Sequence, residues 1–330
     1  MTLDRRFCVA PMQEWTDRHD RYFLRLLSRR TLLYTEMLVA EAVLRGDRAR
    51  LLGFDAAERP VALQLGGAEP ARLAEAAAVG EAFGYDEINL NVGCPSDRVA
   101  AGRFGACLMA EPATVAAGVA AMARATKIPV TVKCRIGVDG RDSYDDLLGF
   151  VDRVAAAGCR TFIVHARTAI LGRLSPKQNR EVPPLRYALV YRLKQERPEL
   201  EILINGGIRD WDAIDEHLAH VDGVMLGREA YQNPYFLAEA DRRLWGDTRP
   251  APSRGDVVEA MLPYIEARLA EGVRLHAIPR HLLGLYQGRP GARAWRRYLS
   301  ENATRKGAGA QVLRQALTLV ADCPADRRTA

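Results

Sequence analysis

The chain has 330 residues, of which 48% are hydrophobic and 27% charged, enough for a sizeable core. That length suits about two domains, although an α/β barrel alone fills roughly 250 residues. The net charge of +6 is lopsided, and the lack of a membrane-length apolar run, of a signal-peptide core in residues 1–6 and of paired cysteines among the six excludes membrane, secreted-disulfide and zinc-site classes, leaving a cytoplasmic protein as the expectation.

Apolar, β-branched runs fall at 7–12, 32–37, 61–66, 87–92, 130–136, 161–166, 201–205 and 223–226. Helical spacing follows at 18–27, 69–83, 114–125, 144–157, 187–196 and 211–220. Pro70 suits a helix start and Asp210 an N-cap. Eight such units predict a TIM (β/α)8 barrel over residues 1–246, ahead of an open doubly wound sheet. Residues 248–253 read as a Pro-containing linker, and 257–269, 280–285, 295–299 and 311–320 have helical spacing. A small helical bundle over 247–330 is therefore expected. Residues 241–330 carry +7 and residues 1–240 carry −1, so a polyanionic partner is expected at the tail. Arg289, Arg293, Arg296 and Arg297 include pairs at helical spacing and form a guanidinium ridge suited to phosphate oxygens.

Each predicted strand ends in polar residues or glycine. The ends read Pro11-Met12-Gln13, Glu36, Gln64, Asn91 to Cys94, Lys133 with Arg135, His165 with Arg167, Asn205-Gly206-Gly207, and Gly227-Arg228. The carboxyl end of parallel strands is where ligands bind. In the strand 87–92, Ile88, Leu90 and Val92 alternate with Asn89 and Asn91, and Cys94 stands where the strand opens into a loop. The last two strand ends resemble a phosphate cradle, with Gly206, Gly207 and Gly227 admitting backbone amides and Arg228 adding charge. Two loops are long. Residues 98–112, with Gly102 and Gly105, read as a glycine-hinged flap, and 167–184 as a functional loop without regular structure.

No G-x-G-x-x-G follows a strand, so a Rossmann dinucleotide site is not expected. A barrel anchoring a phosphate commonly holds PLP or FMN. Lys133 suits a Schiff base for the first. Lys133 and Gln64 suit the N1 side and pyrimidine edge of the second. The two are nearly balanced, and an acid such as Cys94 over the ring tips the reading to FMN.

Asn89-Leu90-Asn91-Val92-Gly93-Cys94-Pro95-Ser96 resembles the signature of the tRNA-dihydrouridine synthases. Ala10-Pro11-Met12, Thr35-Glu36-Met37, Gln64-Leu65, the stretch Ile204 to Ile208 and the stretch Gly223 to Arg228 match that family in order. Trp15 to His19, Ser175 to Glu181, and Gly288 to Arg293 with Trp295-Arg296 are similar to the A-type, tRNA-dihydrouridine(20/20a), subfamily. Thr168-Ala169-Ile170-Leu171 departs from it, since related members often carry Lys and Trp there. The resemblance implies that NADPH reduces bound FMN, that hydride passes from flavin N5 to uracil C6, and that Cys94 protonates C5. A thiol suits that role, being mostly protonated at neutral pH with an ordinary pKa of about 8.5. It further implies that Pro11, Met12 and Gln13 line the flavin, with Gln64, Lys133 and His165 around its ring. Asn205, Gly206, Gly207, Gly227 and Arg228 would hold its phosphate. Asn91 and Arg167 would meet the target base, and Lys177, Arg180, Arg293 and Arg296 the tRNA. The expected protein is a monomer acting on tRNA without membrane or metal. An FMN barrel acting on a free pyrimidine such as dihydroorotate explains the cradle but not the basic tail. An RNA-binding protein with an idle barrel does not explain Cys94, Lys133 and Asn205-Gly206-Gly207.

Overall fold

The computed structural model describes residues 3–320. Eight parallel strands close into a barrel in sequence order. They are β1 (Phe7–Val9), β2 (Leu32–Val39), β3 (Val61–Gly66), β4 (Glu87–Val92), β5 (Val130–Arg135), β6 (Thr161–His165), β7 (Glu201–Asn205) and β8 (Gly223–Leu226). β1 pairs with both β2 and β8, which is the closure. It is shorter than the expected 7–12 because Pro11 has no amide to extend the ladder. The β2–β3 register shifts between Tyr34 and Met37, where the Thr35 hydroxyl accepts the Gln64 amide at 3.0 Å.

The barrel is filled, not hollow. Cys8, Ala10, Leu32, Tyr34, Ala62, Ile163, Leu203 and Met225 pack together in its interior. At the amino ends of the strands lies a polar floor. Arg5 donates to Glu87 at 2.6 Å and to Glu201 at 2.9 Å. Tyr34 and Thr131 also donate to Glu87, at 2.7 and 2.6 Å, and Thr161 to Glu201 at 2.7 Å. Burial would lower the Arg5 pKa, but Glu87 and Glu201 outweigh it and hold it above its ordinary value.

Contacts divide the chain into one unit of residues 1–13 and 32–227 and a second of 14–31 and 228–330. The expected boundary at 246 therefore falls inside the second unit. Within that unit Asp17 caps the helix Arg18–Leu27, accepting from the amides of His19 and Asp20. The same carboxylate takes Arg280 at 2.8 Å and His281 at 3.1 Å, which ties the helix to the tail. The tail contains helices Arg254–Ala270, Ala292–Asn302 and Gln311–Leu317, with a 3₁₀ segment Pro279–Gly284. Trp295 is fully buried, and its indole donates to the Leu282 carbonyl at 3.0 Å. Among the described residues no helix is long and apolar enough to cross a membrane.

Candidate active site

β4 delivers its two amides into the barrel as the alternation requires. Asn89 is fully buried and Asn91 nearly so. They belong to a ladder of side chains that climbs from the floor. Thr131 accepts from Asn89 Nδ2 at 2.8 Å, Asn89 Oδ1 accepts from Gln64 Nε2 at 2.8 Å, and Gln64 Oε1 accepts from Asn91 Nδ2 at 2.8 Å. Asn91 Oδ1 then takes the backbone amides of Gly93 at 3.1 Å and Cys94 at 3.0 Å. Cys94 is thereby held in a side-chain-capped turn at the mouth, partly exposed.

The loop after Cys94 is packed. Ser96 caps the helix Asp97–Ala101, and a 3₁₀ segment Gly105–Ala110 follows. The Ala106 amide donates to the Cys94 carbonyl at 2.9 Å, and Val99, Ala106, Leu108 and Met109 are buried. Phe104 lies so close over Gly66 that a Cβ there would meet its ring at 2.9 Å. The segment expected as a glycine-hinged flap is folded in this structure, with its apolar side chains buried.

Across the mouth stand cations without carboxylate partners. Lys133 Nζ donates to Asn205 Oδ1 at 3.0 Å, and Asn205 Nδ2 donates to the Met225 carbonyl at 2.7 Å. Burial, reinforced by Arg135, pushes the Lys133 pKa down to about 8. Arg135 donates only to carbonyls, those of Gly93 at 2.9 Å, Asn179 at 3.0 Å and Thr168 at 3.1 Å. Burial lowers its pKa to about 10. His165 ends β6, and its Nδ1 is buried without a hydrogen-bond partner. Burial first, then Arg135 and Lys133, hold its pKa well below the ordinary value, so the ring is neutral.

Gly206 and Gly207 follow β7 with φ of 118° and 75°, a region that excludes most side chains. A Cβ on Gly206 would lie 3.2 Å from His165 Nε2, and one on Gly207 2.9 Å from the Tyr187 hydroxyl. Tyr187 donates to the Gly206 carbonyl at 2.6 Å, which fixes the plane of the next peptide. An unpaired ammonium, an orphaned imidazole nitrogen and a glycine bend make a place for an anion with heteroaromatic edges.

The structure brings Gln64, Asn91, Cys94, Lys133, His165 and Asn205 to one end of the barrel, with Gly206 and Gly207 beside them. Pro11 and Met12 are half-buried after β1, Gln13 is exposed and donates to Glu36 at 3.1 Å, and Met12 packs on the barrel core. Gly227 follows β8, and Arg228 opens the helix Arg228–Gln232 that groups with the second unit. Arg167 donates to the carbonyls of Pro183 and Glu181, so it secures the returning limb of its own loop. Lys177 and Arg180 are exposed on that loop, around the 3₁₀ turn Gln178–Arg180. In the second unit Arg293 and Arg296 line a surface cleft with Gln287, Gly288 and Arg289.

Two residues escaped the sequence reading. Asn179 is fully buried, accepting from the Ile170 amide at 2.8 Å and donating to the Ile170 and Leu174 carbonyls, each at 2.8 Å. Thr131 anchors the ladder. The departure at Thr168 to Leu171 is locally satisfied, since Thr168 donates to Asp142 at 2.7 Å and the Leu171 amide to Asp139 at 2.8 Å.

The sequence model of the family described as dihydrouridine synthase matches residues 8–321. A tRNA-dihydrouridine(20/20a) synthase of Synechocystis sp. is 59% identical over 309 residues, 94% of this chain and 92% of the relative. The protein of the same name from Shewanella oneidensis is 59% identical over 314 residues, 95% of this chain and 93% of the relative. That from Pseudomonas aeruginosa is 57% identical over 319 residues, 97% and 96% of the two chains. Among solved structures, a complex of 2-naphthoyl-CoA reductase shares the fold with a TM-score of 0.54 at 10% identity, over 71% of this chain and 49% of that one. With a thiol held at the mouth of a closed (β/α)8 barrel and a family match along nearly its whole length, this chain belongs to the dihydrouridine synthase family of enzymes.

Proposed function

We propose that this enzyme reduces tRNA uridines at positions 20 and 20a to 5,6-dihydrouridine in the cytoplasm, with FMN as its bound cofactor and NADPH as reductant. The observation that carries the reading is Cys94, held by Asn91 at the mouth beside Lys133 and His165, in a chain 57–59% identical to enzymes of that name. Residues of the mouth fit the cofactor: Lys133 the electron-rich N1/O2 side, Gln64 the pyrimidine edge, His165 a ring or phosphate oxygen, and Asn205, Gly206, Gly207, Gly227 and Arg228 the phosphate. Held by these residues and reduced by NADPH, FMN would supply the hydride for C6 of the uracil. Cys94 then gives its Sγ proton to C5, and Asn91 orients the base. The wall 97–110 excludes water from that proton transfer. Lys177 and Arg180 on their loop, and Arg293 and Arg296 on the tail, contact phosphates and select which uridine arrives. The target base must leave its stack to reach the mouth.

The alternative of a barrel dehydrogenase acting on a free pyrimidine accounts for the mouth but not for the basic cleft of the tail. The test is to record the visible spectrum of the purified protein and to map dihydrouridine in tRNA from cells lacking this gene. A flavin spectrum releasing FMN, with dihydrouridine lost at 20 and 20a alone, is the expected result. A colourless protein, or an unchanged map, overturns the reading.

A further inference from the structure

The ladder that ends at Cys94 has a direction, and the direction is set at the floor. Glu87 is a carboxylate holding Arg5 at 2.6 Å, so it accepts and does not donate. Thr131, 2.6 Å away, must therefore spend its proton on Glu87 and can only accept from Asn89. That forces Nδ2 of Asn89 toward Thr131 and Oδ1 toward Gln64. Gln64 in turn must point Nε2 at Asn89 and Oε1 at Asn91. The far end agrees independently, because the Gly93 and Cys94 amides need the oxygen of Asn91. An Asn or Gln side chain has no orientation preference of its own, so each flip is decided by its neighbours. Every amide in the row is thus locked in one of two otherwise equivalent states.

Each NH₂ group in the row has one hydrogen committed and one left. Gln64 and Asn91 each keep one hydrogen to donate; Asn91 Oδ1 already accepts from two backbone amides, whereas Gln64 Oε1 accepts one bond and keeps a lone pair. Asn91 is therefore set to donate to a carbonyl oxygen, and Gln64 presents a donor beside an acceptor.

We propose that Thr131 and Asn89 are positioning residues for the reaction: they touch neither cofactor nor uridine, yet they fix Gln64 and Asn91 as donors to ligand carbonyls and, through Asn91, hold the Cys94 turn. This deepens the reading of the same site and rests on it. Loss of the threonine hydroxyl leaves Asn89 Nδ2 without its acceptor, so the row is held only from its far end, by the Gly93 and Cys94 amides on Asn91. The orientations of Asn89 and Gln64 are then less tightly fixed, and the donors they present to a ligand are less well placed.

The test compares Thr131→Val with Thr131→Ser in the full-length enzyme, with Asn89→Ala as a cut one rung higher that leaves Glu87 untouched. Valine keeps the shape and loses the acceptor. Serine restores it. In the flavin-free protein, the side-chain ¹H–¹⁵N signals of Gln64 and Asn91 are expected as single, exchange-protected pairs in wild type and Thr131→Ser, and as broadened or doubled pairs in Thr131→Val. FMN affinity is expected to fall about five- to tenfold in Thr131→Val and Asn89→Ala, the loss of roughly one hydrogen bond. Single-turnover uridine reduction at saturating FMN is expected to slow by a similar factor, while NADPH reduction of the bound flavin stays the same. Unchanged signals and affinity in both Thr131→Val and Asn89→Ala overturn the proposal, as does a Thr131→Ser variant no better than valine, which would reduce the threonine to packing. A wild-type protein that binds no FMN points to failure of the underlying reading instead, and the signals of the flavin-free protein still decide the ladder.

Discussion

The two ends of the barrel interior treat charge in opposite ways. At the floor, Arg5 meets two carboxylates, and Tyr34, Thr131 and Thr161 complete their bonding. At the mouth, Lys133 and Arg135 lean on an amide and on carbonyls, and His165 Nδ1 has nothing. The floor pairs its guanidinium with carboxylates of the protein itself, although Arg5 Nη2 is left buried without a hydrogen-bond partner. The mouth has no such pairing among the described residues, and its deficit is negative charge plus a hydrogen-bonding edge. Desolvated cations without carboxylate partners among the described residues destabilise a fold, so their presence at the mouth points to a ligand that completes the structure there.

The largest effect expected is chemical. Cys94→Ala removes the proton donor and nothing else at the mouth, so uridine reduction falls about 10²–10⁴-fold while FMN and tRNA affinities hold. Near-normal single-turnover reduction would show that Cys94 is not the acid. At the floor, Arg5→Met strands a buried carboxylate and should cost about 3–5 kcal/mol of unfolding free energy, read from denaturant titration. An Arg5→Met protein as stable as wild type breaks the contrast between the two ends.

Lys133→Met inverts that outcome. The flavin-free protein should gain about 0.5–2 kcal/mol, because a partly buried ammonium bonded only to an amide oxygen among the described residues is gone, while FMN binds some ten- to hundredfold more weakly. Melting curves with and without FMN check both halves. The pH dependence follows from the same group. Its folded pKa, about 8, lies below the ordinary 10.5, so the penalty for its charge is full below pH 8 and fades as pH rises toward 10.5. Flavin-free protein therefore gains stability across that window. FMN, which favours the ammonium, binds best below pH 8 and loses up to about tenfold per unit above it. A flat affinity profile from pH 7 to 10 would remove Lys133 from the flavin contacts.

The smallest effect sits outside both ends. Replacing Arg293 and Arg296 with Ala should leave stability and NADPH-driven flavin reduction alone and lower the slope of log affinity for tRNA against log salt by about 1.5. An unchanged slope makes the ridge a solvated face.

Much of this was legible in the sequence. Strand alternation in 87–92 placed Asn89 and Asn91 inside and Cys94 at the mouth, because period-two patterning is a local signal. The eight strand ends lined up for the same reason. The helix 18–27 was legible as a helix but not as part of the tail unit, since its tie is Asp17 to Arg280 and His281, more than 260 residues away in the chain. Thr131 escaped for a like cause: its value lies in touching Glu87, 44 residues earlier, and a threonine in a strand carries no mark of that. In the segment 98–112 the glycines were legible but not the packing they allow, since Phe104 takes the room beside Gly66 and Gly102. Asn179 lay within the stretch Ser175 to Glu181 that resembles the A-type subfamily, but nothing local marks it as buried.

Asn179 also settles the shape of the loop 167–184 before any partner arrives. Its side chain ties Ile170, Leu174 and Ser175 into one knot, and Arg135 clamps its carbonyl from the barrel. The conformational freedom of the loop is thus surrendered during folding and not at the moment of encounter. Lys177 and Arg180 ride on a surface that is already shaped, so if they meet a polyanion as proposed its capture is governed by diffusion and electrostatic steering, and the amide of Ile170 should exchange with solvent as slowly in the free enzyme as in the complex.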